Sequence, residues 1–210
     1  MEAPFEAGGI RGFLHGPDVQ PAGAIALTHG AGSNCRAPLL VRLAEEFASL
    51  GCLALRYDLA FRRDRPKGPP FPSSAAHDRD TVRQAVQALR ARVKGPVFAG
   101  GHSYGGRQTT IAASEHPGMA DALLLLSYPL HPPKRPGDKR TAHFPDLRTP
   151  ALFVHGTADP FGTVEELREA LGLVPARTDL LAVEGAAHDL SRAVGLAPEI
   201  LTHLRALVAQ

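Results

Sequence analysis

Pro96-Val97-Phe98-Ala99-Gly100-Gly101-His102-Ser103-Tyr104-Gly105-Gly106 decides how the rest of the chain is read. A short apolar run, Val97-Phe98-Ala99, enters a turn of pattern G-x-S-x-G, Gly101-His102-Ser103-Tyr104-Gly105. A helix-compatible run, Arg107-Gln108-Thr109-Thr110-Ile111-Ala112-Ala113, leaves it. The bare pattern arises easily by chance in a chain with 21 glycines, so the flanking strand and helix carry the reading. Such a turn holds its serine at the end of a strand on strained backbone. Neighbouring chain passes close two residues before and two after, where only a residue without a Cβ fits, hence Gly101 and Gly105. The helix that starts there aims its first amides at any negative charge formed beside the Ser103 hydroxyl.

A serine hydroxyl is a weak nucleophile until a base takes its proton, and the base needs an acid to orient it. Ala151-Leu152-Phe153-Val154 reads as a buried strand running into His155-Gly156-Thr157-Ala158-Asp159-Pro160. Leu180-Leu181-Ala182-Val183 runs in the same way into Glu184-Gly185-Ala186-Ala187-His188-Asp189. Asp159 and His188 thus lie just past the carboxyl ends of two strands, where open α/β sheets place functional groups. The candidate catalytic set is Ser103 as nucleophile, His188 as base and Asp159 as orienting acid. Plainer roles exist: Asp159 could cap a helix beginning near Thr163, and His188 could be a loop histidine. Asp189 points away from the site if its chain is extended. Asp58, after the strand Cys52–Tyr57, is expected to tie down a loop. His29, His102 and His155 are expected to make structural hydrogen bonds.

These stretches, with Thr28-His29-Gly30-Ala31-Gly32, resemble the small, nearly lidless serine alpha/beta hydrolases of the dienelactone-hydrolase-like group. The chain is most similar to a bacterial branch related to the testis-expressed and chromatin-complex alpha/beta-hydrolase-like proteins. The resemblance runs from Ala24 to the C-terminus. It implies an α/β-hydrolase fold, with a mostly parallel central sheet, helices on both faces and no large lid. It implies cleavage of a carboxylic ester or thioester through an acyl-enzyme, with neither metal nor organic cofactor. An oxyanion hole is implied too, with the amide of Tyr104, the residue after the nucleophile, as one donor and the amide of Ala31 as the other. One departure stands out. Dienelactone hydrolases proper use a cysteine nucleophile, so their particular substrate does not carry over to a chain with Ser103.

Composition agrees with a soluble enzyme of this size. The chain has 210 residues, 44% hydrophobic and 21% charged, and reads as one domain, 1–210, with a core buried on both faces of a sheet. No stretch reaches the roughly 20 apolar residues of a membrane span. The N-terminus, Met1-Glu2-Ala3-Pro4-Phe5-Glu6, lacks a signal pattern, which points to the cytoplasm. Cys35 and Cys52 lack metal-ligand spacing and suit a reducing compartment, with Cys52 in the core and Cys35 exposed near the Ala31 loop. Helices are expected over Pro38–Leu50, Asp78–Val93, Thr163–Leu171 and about Ala197–Val208, the third opened by the capping box Thr163-Val164-Glu165-Glu166.

Two irregular, basic, proline-rich segments, Asp58–Ser74 and Pro129–Pro150, are expected to frame the mouth of the site. In the first, Arg62 and Arg63 are candidates to bind an acidic acyl substrate, since guanidinium matches carboxylate geometry. The bland reading is charge carried for solubility. The main alternatives to an esterase are a peptidase or acyltransferase using the same triad, or a non-catalytic interaction module. A nucleic-acid binder is disfavoured by the absence of Trp and an aromatic content of 6%.

Overall fold

The structure, a computed structural model, describes residues 1–192 and 195–209. Its strands are β1 (Glu2–Ala7), β2 (Ile10–His15), β3 (Gly23–Thr28), β4 (Cys52–Tyr57), β5 (Val97–His102), β6 (Ala122–Leu126), β7 (Ala151–Gly156) and β8 (Thr178–Val183). They form an eight-stranded sheet in the order β1-β2-β4-β3-β5-β6-β7-β8. From β4 to β8 across the sheet every pairing is parallel, while β2 runs antiparallel to both β1 and β4. The helices are α1 (Pro38–Ser49), α2 (Ala60–Asp64), α3 (Ala75–Arg90), α4 (Tyr104–Glu115), α5 (Val164–Leu171) and α6 (Ala197–Val208).

Alternation along the strands divides the core in two. On β4, Leu53, Leu55 and Tyr57 join Val82, Val86 and Leu89 of α3. Cys52 and Ala54 point the other way, into Leu40, Leu43 and Phe47 of α1 and Leu204 of α6. A strand covered on both faces has no polar side, which is why Ala122–Leu126 is apolar and buried throughout. The parallel strands end together, so the loops after β3, β5, β7 and β8 meet at one edge of the sheet.

Local signals are visible in the helices. Pro38 opens α1, where its missing N–H costs nothing. In α5 the capping box is complete: the Glu166 amide donates to Thr163 Oγ1 at 3.1 Å and the Thr163 amide to Glu166 Oε2 at 2.8 Å. α3 starts and ends three residues earlier than its periodicity suggests. A 3-10 turn, Pro72–Ser74, leads into it with Ser74 already in helical conformation.

Two expectations need correction, and one element goes beyond them. The hairpin β1–β2 lies before the region covered by the resemblance and was not anticipated, although Gly8 and Gly9, at φ 58° and 79°, make the two-residue turn such hairpins favour. Cys35 is buried, at 4% exposure, and not on the surface. Pro129–Pro150 does not stand over the site as a rim along its length. Leu130, Phe144 and Leu147 are fully buried in the core, and His143 meets Thr110 of α4. Among the described residues, no helix is long and apolar enough to cross a membrane.

Candidate active site

Ser103 sits between β5 and α4 at φ 51° and ψ −116°, a conformation costing an L-residue on the order of 1–3 kcal/mol. The surroundings hold it there. Its amide donates to the Leu126 carbonyl of β6 at 2.8 Å, and its carbonyl accepts the Arg107 amide of α4 at 2.9 Å. A Cβ on Gly101 would stand 2.9 Å from the Gly105 carbonyl carbon, and one on Gly105 would stand 2.7 Å from Thr28 Cγ2. The turn closes only because both residues are glycine.

The loops after β7 and β8 are fastened to each other before they reach the serine. Thr157 Oγ1 accepts the Gly185 amide at 2.8 Å, and the Ala158 amide donates to the Ala186 carbonyl at 2.9 Å. Gly185, at φ 65°, turns the chain there, and Ala186 is fully buried. His155 donates from Nε2 to the Gly162 carbonyl at 2.8 Å, which braces the Asp159 loop from below.

This framework brings Ser103, His188 and Asp159 together. Ser103 Oγ lies 2.8 Å from His188 Nε2, and His188 Nδ1 lies 2.8 Å from Asp159 Oδ2. With the Nδ1 proton donated to the carboxylate, Nε2 is left to accept the serine proton. The Asp159 side chain has no exposed surface. Burial works against its charge, but the hydrogen bond and charge of His188, with the Phe161 amide at 2.9 Å, hold its carboxyl below the usual range. Asp189 turns away and accepts the Ser191 amide at 3.0 Å.

Tyr104 follows Ser103 directly and opens α4, and neither its amide nor that of Ala31 donates to an acceptor among the described residues. The loop carrying Ala31 is tied at each step. Because His29 Nε2 accepts the Leu59 amide at 3.2 Å, Nδ1 carries the proton and donates to the Gly30 carbonyl at 2.9 Å. Burial pushes the pKa of His29 and of His102 below the ordinary value, which favours the neutral imidazole. His102 donates from Nε2 to the His188 carbonyl at 2.7 Å, so the residue before the nucleophile steadies the base.

The arginine pair is placed differently from the expectation. Arg62 is only 5% exposed, and its guanidinium donates to the carbonyls of Ala31, Ser33, Arg65 and Gly68 at 2.7–3.1 Å. Its hydrogen-bonding capacity goes into pinning the Ala31 loop, not into an anion. Arg63 donates to the Gly9 carbonyl in the β1–β2 turn. Asp58 ties a loop, accepting the Cys35 amide at 2.8 Å and Arg11 at 3.2 Å. Burial pushes the Cys35 thiol up to about 12, which leaves it protonated and unreactive.

Two neighbours of the site escaped the sequence reading. Phe161 lays its ring on His188, centroids 4.2 Å apart, while its amide holds Asp159. Asp78, fully buried, accepts the Tyr104 hydroxyl at 2.7 Å and the Phe61 amide at 2.9 Å. Pro160-Phe161 after the acid, and a lone acid in the first turn of α3, were their only local signals. Among the described residues, no three His, Cys, Asp or Glu side chains gather as a metal site requires.

Residues 21–205 match the family described as an alpha/beta hydrolase domain. The chain belongs to that family. Among curated proteins it is similar to a monoglyceride lipase homolog of monkeypox virus, 29% identical over 112 residues. That match takes in 53% of this chain and only 40% of the viral protein. Solved structures with the same fold include a dienelactone hydrolase from Anabaena variabilis (20% identity, 97% of this chain and 93% of that one, TM-score 0.71). Est1E from Butyrivibrio proteoclasticus superposes over 100% of this chain and 99% of its own (15% identity, TM-score 0.72). A lidless α/β serine hydrolase from Xanthomonas campestris covers 100% and 93% (16% identity, TM-score 0.70). At these identities the structural likeness speaks for the fold, and the family match for hydrolase chemistry.

Proposed function

We propose that this hydrolase domain is a serine esterase that cleaves a carboxylic ester, or a thioester, through an acyl-enzyme. The observation that carries the reading is the unbroken chain of 2.8 Å contacts from Ser103 Oγ through His188 to a fully buried Asp159. In the first step Ser103 Oγ bonds to the acyl carbon while its proton passes to His188 Nε2. The tetrahedral oxyanion is met by the amides of Ala31 and Tyr104, each such donor worth on the order of 10²–10³ in turnover. As it collapses, the bond to the leaving oxygen or sulfur breaks and His188 returns the proton to that atom. Water then attacks the acyl-enzyme with His188 as base, and Ser103 regains its proton. Asp159 holds the His188 tautomer and stabilises the imidazolium. The serine nucleophile is what separates this reading from the dienelactone hydrolases proper. It is also part of the proposed kinship with the branch related to the testis-expressed and chromatin-complex proteins. With both cysteines buried and free, we also place the protein in the cytoplasm.

Fluorophosphonate labelling of the native protein, with Ser103→Ala and His188→Ala as controls, tests the reading. Labelling is expected in the native protein and in neither variant. A folded native protein that does not label would overturn it.

A further inference from the structure

A cleft of about 370 Å³ opens on the α1 side of the nucleophile. Its walls include Ala37, Leu39 and Arg42 from the start of α1, and Asp189 and Ser191 from the loop after β8. Gly30 and His102 complete it at the end nearest Ser103. A Cβ on Gly30 would stand 3.5 Å from the Ser103 Cβ and 3.1 Å from His102 Nδ1, so the cleft begins one residue away from the reacting hydroxyl.

Three features constrain what fills it. The first is size: at the roughly 30 Å³ that a water molecule occupies, the space holds about a dozen non-hydrogen atoms, and its lining is mostly apolar. The second is side. Asp189 and Ser191, just after the base His188 from which a departing group would take its proton, form one wall. The third is charge. Arg42 and the Asp189 carboxylate contribute one charge of each sign, which disfavours an ionic ligand.

We infer that this cleft receives the leaving-group arm of an oxygen ester, a neutral and mainly apolar alcohol portion of about a dozen non-hydrogen atoms. The inference rests on the acyl-transfer reading of Ser103 and narrows it: a bulky, polyanionic thiol carrier suits neither the volume nor the charge.

Two ester series test it in the native enzyme. One keeps the acetyl group and lengthens the alcohol through ethyl, hexyl and decyl; the other keeps ethanol and lengthens the acid in the same steps. From ethyl to hexyl acetate, kcat/KM is expected to rise on the order of ten- to a hundred-fold, then level off, with far less change along the acid series. Ala37→Phe, which narrows the cleft, is expected to cut the hexyl-to-ethyl ratio by about ten-fold or more. A preference that follows acid length, or a hexyl-to-ethyl ratio that Ala37→Phe leaves unmoved, overturns the assignment while Ser103 still labels with fluorophosphonate. Loss of labelling in the native protein overturns the hydrolase reading as well.

Discussion

Asp159 and Asp78 are both buried, and both act on the elbow through one hydrogen-bonded partner, Asp159 on Ser103 by way of His188 and Asp78 on its neighbour Tyr104 directly. Their surroundings push them in opposite directions. Burial raises both. For Asp159, His188 outweighs it and the carboxyl ends below its ordinary range. Asp78 is faced by the Phe61 amide and by the hydroxyls of Tyr104 and Ser74, all neutral, with the charge of His77 opposing only as the least of its causes, and burial wins. Depth alone therefore does not decide a carboxylate's state. What decides is whether a partner can carry positive charge. Only the Asp159 arrangement can stabilise an imidazolium formed during a reaction.

The amide isostere separates the two most sharply. Asp159→Asn is expected to lower kcat on a simple ester by roughly 10³–10⁴ with the fold intact, because the amide cannot enforce the His188 tautomer. A loss under about ten-fold would reduce Asp159 to a loop anchor. Arg62→Met is next in size. Four backbone carbonyls lose a buried charged donor, and a stability loss of about 3–5 kcal/mol is expected in urea unfolding. Any accompanying loss of activity should be equal for neutral and carboxylate-bearing esters. A selective loss on the acidic ones would restore anion recognition.

Asp78 gives the smaller effects that its neutral surroundings suggest. Asp78→Leu strands the Tyr104 hydroxyl and the Phe61 amide, at about 1–3 kcal/mol each, whereas Asp78→Asn keeps an acceptor and is expected to cost about 1 kcal/mol. If the asparagine variant loses turnover as severely as Asp159→Asn, the contrast between the two acids fails.

The smallest effect concerns His143, whose imidazole is held down to about 4 by burial, with the Arg107 charge adding, against an ordinary 6.5. The unfolded chain binds a proton near pH 6.5 that the folded one refuses until about pH 4, so this contribution drains away as pH falls between those values. His143→Gln should flatten the acid limb of stability in that window. Asp159, depressed where His143 is neutralised by burial, contributes above the ordinary carboxylate pKa and loses that contribution only as pH falls through its own lowered value.

Much of the fold was legible because it is written in local signals. A run such as Ala122–Leu126 has no polar face to expose, Pro38 and the Thr163 box announce helices, and glycines two residues either side of Ser103 announce the elbow. The first hairpin carried a Gly8-Gly9 signal too, but its strands, Glu2–Ala7 and Ile10–His15, mix polar and apolar residues too loosely to read as a sheet edge. The arginines misled for a physical reason. Arg62 sits in a proline-rich stretch full of charge, and nothing local shows that its guanidinium turns inward to carbonyls some thirty residues earlier.

By itself, the sequence determined the order of strand ends that could carry a serine, an acid and a histidine, since periodicity and turn chemistry depend on neighbouring residues. Only the tertiary structure decided which groups meet. His188 touches a serine 85 positions away, Tyr104 an acid 26 positions away, and Phe161 covers a histidine in another loop. Those partners are set by how parallel strands stack their ends along one edge of the sheet, and it is there that Arg62 became a tether, Asp78 a brace and the space beside α1 a pocket.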